Sequence, residues 1–215
     1  MVQTIKKIPQ KSINPLPKVI WNGFMSIAVQ VLNLRRKENR TMKFTYCPDC
    51  GTKLTEKEIG DEGLVPWCEC CNKPFFDMFS TCIIALVADE YGEVALLRQG
   101  YISHQYYNLV SGYMKPGETA EYTAAREVEE EIGVQVENLR PAGTFWFGRK
   151  DMLMIGFLAE AKKKKLELSG EVDDAVWVDA SRALEMVHPE GSVSYTLVES
   201  YLKEQERKRQ KGSSL

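Results

Sequence analysis

Cysteine is missing from most of this 215-residue chain: all six lie between Cys47 and Cys82. A disulfide framework spread through a secreted domain is thereby excluded, and a reduced, cytoplasmic protein is the expectation. Long apolar runs are missing as well. The most apolar segments, Cys82 to Ala88 and Met152 to Ala159, fall far short of the roughly 18 residues that a spanning helix needs, so no membrane partner is expected from them. Neither glycine (15) nor proline (9) is in excess, and 44% of the residues are apolar against 27% charged, which excludes a collagen-like rod and wholesale disorder. The chain is long enough for one medium domain with a small appendage and too short for a multidomain machine.

A large net charge is also absent, but the formal value of −2 hides an uneven distribution: residues 1–41 hold eight Lys or Arg and one acid, leaving −9 for residues 42–215. A net-negative globular part repels a polyphosphate backbone unless cations intervene, so any anionic ligand needs a dedicated site. Residues 1–41 carry Pro9, Pro15 and Pro17 and a largely apolar stretch from Val19 to Leu34, closed by Arg35, Arg36 and Lys37. This basic extension reads as a membrane-surface segment, a targeting peptide, or sequence outside the working protein. Met42 favours the last, because a chain starting there runs directly into the first cysteine motif.

Cys47-x2-Cys50 and Cys68-x2-Cys71 are separated by 17 residues, a spacing that suits four thiolates arranged tetrahedrally around Zn²⁺. A closed four-thiolate site has no open coordination position, so its role is structural. Cys70 reads as a bystander and Cys82 as a small buried hydrophobe. Zinc ribbons also occur in nucleic-acid-binding proteins. Here Lys53 and Lys57 face six acids between Cys47 and Cys71, a balance that argues against phosphate-backbone binding.

Beyond residue 75 the pattern is one of strands and helices. Thr81 to Ala88 and Val94 to Leu97 flank a turn-rich segment and form a hairpin; Leu109–Ser111, Val134–Val136, Thr144–Phe147, Met152–Ala161 and Ala175–Val178 are further strands. Helices are expected over Glu118–Ile132, stopped by Gly133, and over Ser181–Val187 and Ser194–Arg209, with the tail from Lys203 fraying. The mixture predicts a mixed sheet with helices packed on it. The expected domains are therefore the extension 1–41, a zinc ribbon over 42–75 and an α/β domain over 76–210.

The segment from Gly112 to Val134, GYMKPGETAEYTAAREVEEEIGV, is the most informative. At about 100° per residue, Glu127, Glu130 and Glu131 share one helical face. Ala120, Ala124 and Val128 repeat on a neighbouring strip that can pack on the sheet, which leaves the carboxylates at the edge of that contact. Like charges so close repel one another, and a divalent cation would relieve this; hard oxygen ligands select Mg²⁺ or Mn²⁺. A solvated acidic face is the alternative that spacing leaves open.

Gly112-x5-Glu118-x7-Arg126-Glu127-Val128-x-Glu130-Glu131-x-Gly133-Val134 matches the Nudix box at every specified position. The resemblance implies a Nudix α/β/α sandwich with a mixed sheet and hydrolysis of a nucleoside diphosphate linked to another moiety. It makes Glu127, Glu130 and Glu131 ligands of Mg²⁺ or Mn²⁺, with one of them or a downstream Glu activating water. It also pairs Arg126 with Glu118 to brace the loop and makes Gly112, Gly117 and Gly133 turn positions. The four-cysteine ribbon placed before the box resembles the NADH pyrophosphatase (NAD⁺ diphosphatase) subfamily, over roughly Cys47 to Tyr201. In that resemblance Tyr113 stacks on adenine, Tyr107 is a further point of agreement, and Glu171 corresponds to a glutamate of metal binding or catalysis, a plain surface acid being the other reading. The subfamily's Ser-Gln-Pro-Trp-Pro-Phe-Pro signature is absent: Thr144 to Lys150 reads TFWFGRK. Phe147 takes the place of the tryptophan as a substrate-binding ring, and Arg149 and Lys150 are candidates to meet a phosphate or ribose, unless the segment is an ordinary hairpin edge.

The expected function is thus hydrolysis of NAD(H) to NMN(H) and AMP. ADP-ribose, another nucleotide derivative or a capped RNA end are the alternative substrates. The family resemblance implies a homodimer. A non-catalytic binding module is opposed by the intact box, since a pure binder has no need of all three glutamates.

Overall fold

The computed structural model describes residues 44–212, so the basic extension lies outside the described residues. Two sheets make up this region. The first is a three-stranded antiparallel ribbon, β1 (Thr55–Glu58), β2 (Leu64–Cys68) and β3 (Lys73–Pro74), which follows the first cysteine pair. The second is six-stranded: β4 (Ser80–Ala88), β5 (Glu93–Arg98), β6 (Val110–Tyr113), β7 (Val136–Phe147), β8 (Met152–Ala161) and β9 (Asp174–Asp179). Its order is β7-β8-β4-β5-β9, with β6 also paired to β4, and only the β4–β8 pairing is parallel, so the sheet is mixed. Among the described residues no helix is long and apolar enough to cross a membrane.

β4 is apolar almost throughout because both its faces are covered. Ile83, Ala85 and Val87 join one core cluster with Ala124, Val128 and Ile132 of helix α1 (Ala120–Ile132). Ile84, Leu86 and Ala88 join another with Ala183 of α2 (Ala180–Met186) and Leu197 and Val198 of α3 (Val193–Gly212). Alternate residues of one strand thus serve opposite layers, and the result is the expected α/β/α sandwich. Each fully buried Ile or Leu contributes roughly 1.5–3 kcal/mol relative to exposure.

Three sequence expectations need correction. Val134–Val136 and Thr144–Phe147 are not separate strands: a single 12-residue β7 starts only at Val136 and runs to Phe147, with register shifts at Val136/Asn138 and Pro141/Gly143. Pro141 is tolerated because β7 is an edge strand and the irregularity sits beside it. Helix α1 begins at Ala120 rather than Glu118, because Thr119 caps it, its hydroxyl accepting from Tyr122 N at 3.2 Å. The tail does not fray from Lys203: α3 continues to Gly212, supported by Glu199–Lys203 and Glu204–Lys208 pairs and by Arg140 reaching Glu204 at 2.6 Å.

Candidate active site

The site is built where β6, helix α1 and the segment before β9 meet. β6 pairs with β4 so that Gly112 lies opposite Ile83, inside a strand rather than at the turn expected for it. Its missing side chain is what the site uses: a Cβ here would lie 2.0 Å from the Glu127 carboxyl carbon. Gly133, by contrast, is a turn position. It closes α1 in the left-handed region at φ 68°, and its N–H donates to Glu129 O.

Arg126 organises the carboxylates. Its Nε and Nη2 each donate to the Glu118 carboxylate at 2.9 Å, and its Nη1 donates to both Glu127 Oε1 and Glu130 Oε2 at 2.8 Å. Glu118 also accepts from Thr123 Oγ1 at 2.8 Å and Lys115 N at 3.1 Å. The guanidinium, above all, lowers the Glu118 carboxyl to about 2. The brace expected between Arg126 and Glu118 is therefore present, and it extends to two further glutamates. Glu129 is exposed on the far side of the helix.

Glu131 differs from its neighbours. It is 5% exposed, and its Oε1 accepts from Gln99 Nε2 at 2.8 Å, whereas its Oε2 is buried without a hydrogen-bond partner. Burial, reinforced by the charges of Glu127 and Glu171, raises its carboxyl to about 7. Gln99, itself 1% exposed, was not singled out by its sequence, where it follows Arg98 at the end of the apolar run Val94 to Leu97.

Glu171 reaches the same place by a different route. The segment after β8 is pinned to the end of α1, with Glu167 N donating to Ile132 O at 3.0 Å and Ser169 N to Glu131 O at 3.2 Å. This carries the exposed Glu171 onto the wall of a cavity of about 560 Å³ that Glu127, Glu130, Glu131, Arg126, Gly112 and Tyr113 also line. Tyr113 is 54% exposed there, and Tyr101 and Ile102, which sequence reasoning missed, supply further apolar wall. Phe147 is not among the lining residues: it lies in register with Met152, and its ring packs against the core cluster. Lys150, from the turn that follows it, does line the cavity. Tyr107 is also elsewhere, donating from its hydroxyl to Asp174. Cys82 borders the cavity, but burial raises its thiol to about 12, so it stays protonated at neutral pH and is no nucleophile.

Two groups of donors suit metal ions. The Sγ atoms of Cys47, Cys50, Cys68 and Cys71 all lie within 4.8 Å of one another. The Cys47–Cys71 and Cys50–Cys68 separations are 3.8 and 3.5 Å, close to the roughly 3.8 Å edge of a tetrahedron with Zn–S bonds of about 2.3 Å. Hydrogen bonding to Cys50 and partial desolvation push the Cys71 thiol upward, and a bound cation would favour the thiolate that a metal ligand must supply. Cys70 is exposed and outside the group. The glutamates offer hard oxygens instead. They are not gathered as closely as the sulfurs, for Arg126 stands between Glu127 and Glu130, but the unpartnered Glu131 Oε2 and the free Oε2 of Glu127 fit a Mg²⁺- or Mn²⁺-type ligand set.

The family model described as NUDIX domain matches residues 78–198, the span from just before β4 into α3. The chain belongs to the Nudix family. Among curated Nudix relatives, it is 28% identical over 159 residues to the NAD-capped RNA hydrolase NudC of Photobacterium profundum, covering 74% of this chain and 58% of that one. It is 30% identical over 169 residues to the protein of the same name from Pasteurella multocida, covering 76% and 62%. The chain thus spans about three-fifths of the length of these relatives. Among solved structures, a NUDIX hydrolase from Nitrosomonas europaea aligns with a TM-score of 0.63 at 17% identity, over 76% of this chain and 93% of that one. The NUDIX domain of Shewanella oneidensis NrtR, complexed with ADP ribose, aligns with a TM-score of 0.51 at 17% identity, over 60% and 90%. These two likenesses are of fold.

Proposed function

We propose that this chain is a divalent-metal-dependent pyrophosphohydrolase that cleaves NAD(H) to NMN(H) and AMP, with residues 76–210 as the hydrolase and 42–75 as a ribbon held by structural Zn²⁺. The observation that carries the reading is Glu131: a buried carboxylate with one oxygen fixed by Gln99 and the other unpartnered, on a cavity it shares with Glu127, Glu130 and Glu171. Burying a carboxylate without a counter-charge is costly, and a divalent ion supplies one. Bound Mg²⁺ or Mn²⁺ would neutralise phosphoryl oxygens and lower the pKa of water.

The chain's own residues do the rest. Glu127, Glu130 and Glu131 are the proposed ligands, and Glu171 either completes that set or takes the proton of the attacking water. Arg126 and Glu118 hold the helix face and the preceding loop in register. Tyr113 offers an exposed ring for an adenine, a stack worth about 1–3 kcal/mol. Phe147, directed to the core, is left out of the substrate contacts. Water adds to one phosphorus, the bond from that phosphorus to the bridging oxygen breaks, and two monophosphates leave. The curated relatives are NAD-capped RNA hydrolases, which supports a second substrate, the NAD-capped end of an RNA, on which the same bond would be cleaved.

Product analysis tests the reading. With Mn²⁺, NADH is expected to yield NMNH and AMP in equal amounts, and chelation is expected to stop the reaction. Turnover of ADP-ribose with none of NADH would move the assignment to that substrate.

A further inference from the structure

Two cations on the cavity wall have no task in this chemistry. Lys115 follows β6 and Lys150 sits in the β7–β8 turn; both are exposed and both line the cavity that holds the glutamates. Among the described residues neither ammonium makes an ion pair or a hydrogen bond, although Lys163, Lys203 and Lys208 all find carboxylates. Arg126, the third cation of the wall, is fully engaged with Glu118, Glu127 and Glu130. Lys150 stands where the NADH pyrophosphatase signature would supply prolines and aromatic rings, while Phe147 of the same segment turns to the core. The wall available to the second half of a substrate is therefore cationic there. Lys115 lies two residues after Tyr113, and both line the same cavity.

We infer that Lys115 and Lys150 recognise a phosphate carried in addition to the pyrophosphate that is cleaved, so that the preferred substrates are nucleoside diphosphate derivatives bearing a further phosphate on a ribose. The inference rests on the hydrolytic reading and names its substrate class. An ammonium meeting a phosphate forms charge-assisted hydrogen bonds, which are stronger than neutral ones. Both lysines are solvent-accessible, so the preference weakens as salt rises.

The test compares substrates that differ by one phosphate, using the full-length chain with Mn²⁺: NADPH against NADH for a 2′-phosphate, and coenzyme A against dephospho-coenzyme A for a 3′-phosphate. At low ionic strength kcat/KM is expected to favour the phosphorylated member of at least one pair by roughly tenfold. That ratio should fall towards one in the Lys115→Met/Lys150→Met double variant and return with Arg at both positions. A wild-type ratio of one or less in both pairs, or a preference that survives in the double Met variant, overturns the inference. Calorimetry without divalent ions provides a second measurement, comparing adenosine 2′,5′- and 3′,5′-bisphosphate with AMP. If none of the four compounds is hydrolysed, the hydrolytic reading fails, and the lysine pair is still decided. A bisphosphate that outbinds AMP about tenfold in the wild type and not in the double Met variant supports it, and equal binding sinks it.

Discussion

Glu131→Gln is expected to lower turnover by roughly a hundredfold or more and, in the same protein freed of divalent ions, to raise the melting temperature at pH 8. The two effects share one cause. Burial holds the Glu131 carboxyl near 7 against an ordinary 4.5, so the folded state binds its proton more tightly than the unfolded chain does. As pH rises from the unfolded value through the folded one, the native state loses stability, and the loss is complete by about pH 8, on the order of 3 kcal/mol. A glutamine keeps the shape and still accepts from Gln99 but carries no charge. Its amide nitrogen at the unpartnered position offsets part of the gain, leaving about 1 to 2 kcal/mol, or a few degrees. Thermal denaturation in chelator at pH 5 and pH 8 reads the difference, which should widen towards pH 8. An unchanged gap between the two pH values, or wild-type turnover in the variant, would contradict the assignment.

Gly112→Ala should be as damaging to activity, by displacement rather than by loss of charge. The new methyl would sit 2.0 Å from the Glu127 carboxyl carbon and 2.2 and 2.4 Å from its oxygens. Glu127 cannot simply swing aside, because its side chain is 14% exposed and held by Arg126 at 2.8 Å. The expected outcome is a turnover loss of roughly a hundredfold and a destabilisation of about 1–3 kcal/mol. Removing the obstacle tests the mechanism. In Gly112→Ala/Glu127→Ala the stability costs should fall short of their sum by about 1 kcal/mol, while activity stays low. Additive costs in urea denaturation, or a fully active Gly112→Ala enzyme, would show that the close approach is not what this glycine serves.

How far such geometry is legible in the sequence depends on its range. The carboxylate face of α1 follows from helical period alone, and the sulfur cluster from paired spacings, because each is set by neighbours a few residues apart or by a repeated local turn. β4 was visible as an apolar run, and its two-sided burial explains why that run does not alternate. What could not be read depends on pairing between distant segments. The family resemblance made Gly112 a turn position, and nothing local says that β6 lies against β4 or that Glu127 comes to rest over this glycine. Glu171 reaches the cavity only because Glu167 and Ser169 bond to the last carbonyls of α1. Which of Phe147 and Lys150 borders the cavity is fixed by the register of β7 on β8, where Phe147 lies opposite Met152. The two runs read as separate strands are joined through Pro141, and tolerance of a proline inside an edge strand is a property of the sheet.

We propose that the glutamates around Glu131 hold divalent ions against the phosphates to be cleaved. Manganese binding, followed by electron paramagnetic resonance during AMP release from NADH, tests it most directly. The expected result is no release in chelator, release that rises with bound Mn²⁺, and loss of both in Glu127→Gln and Glu131→Gln. Undiminished release in chelator, or Mn²⁺ occupancy that is the same in the wild type and both variants, would contradict it.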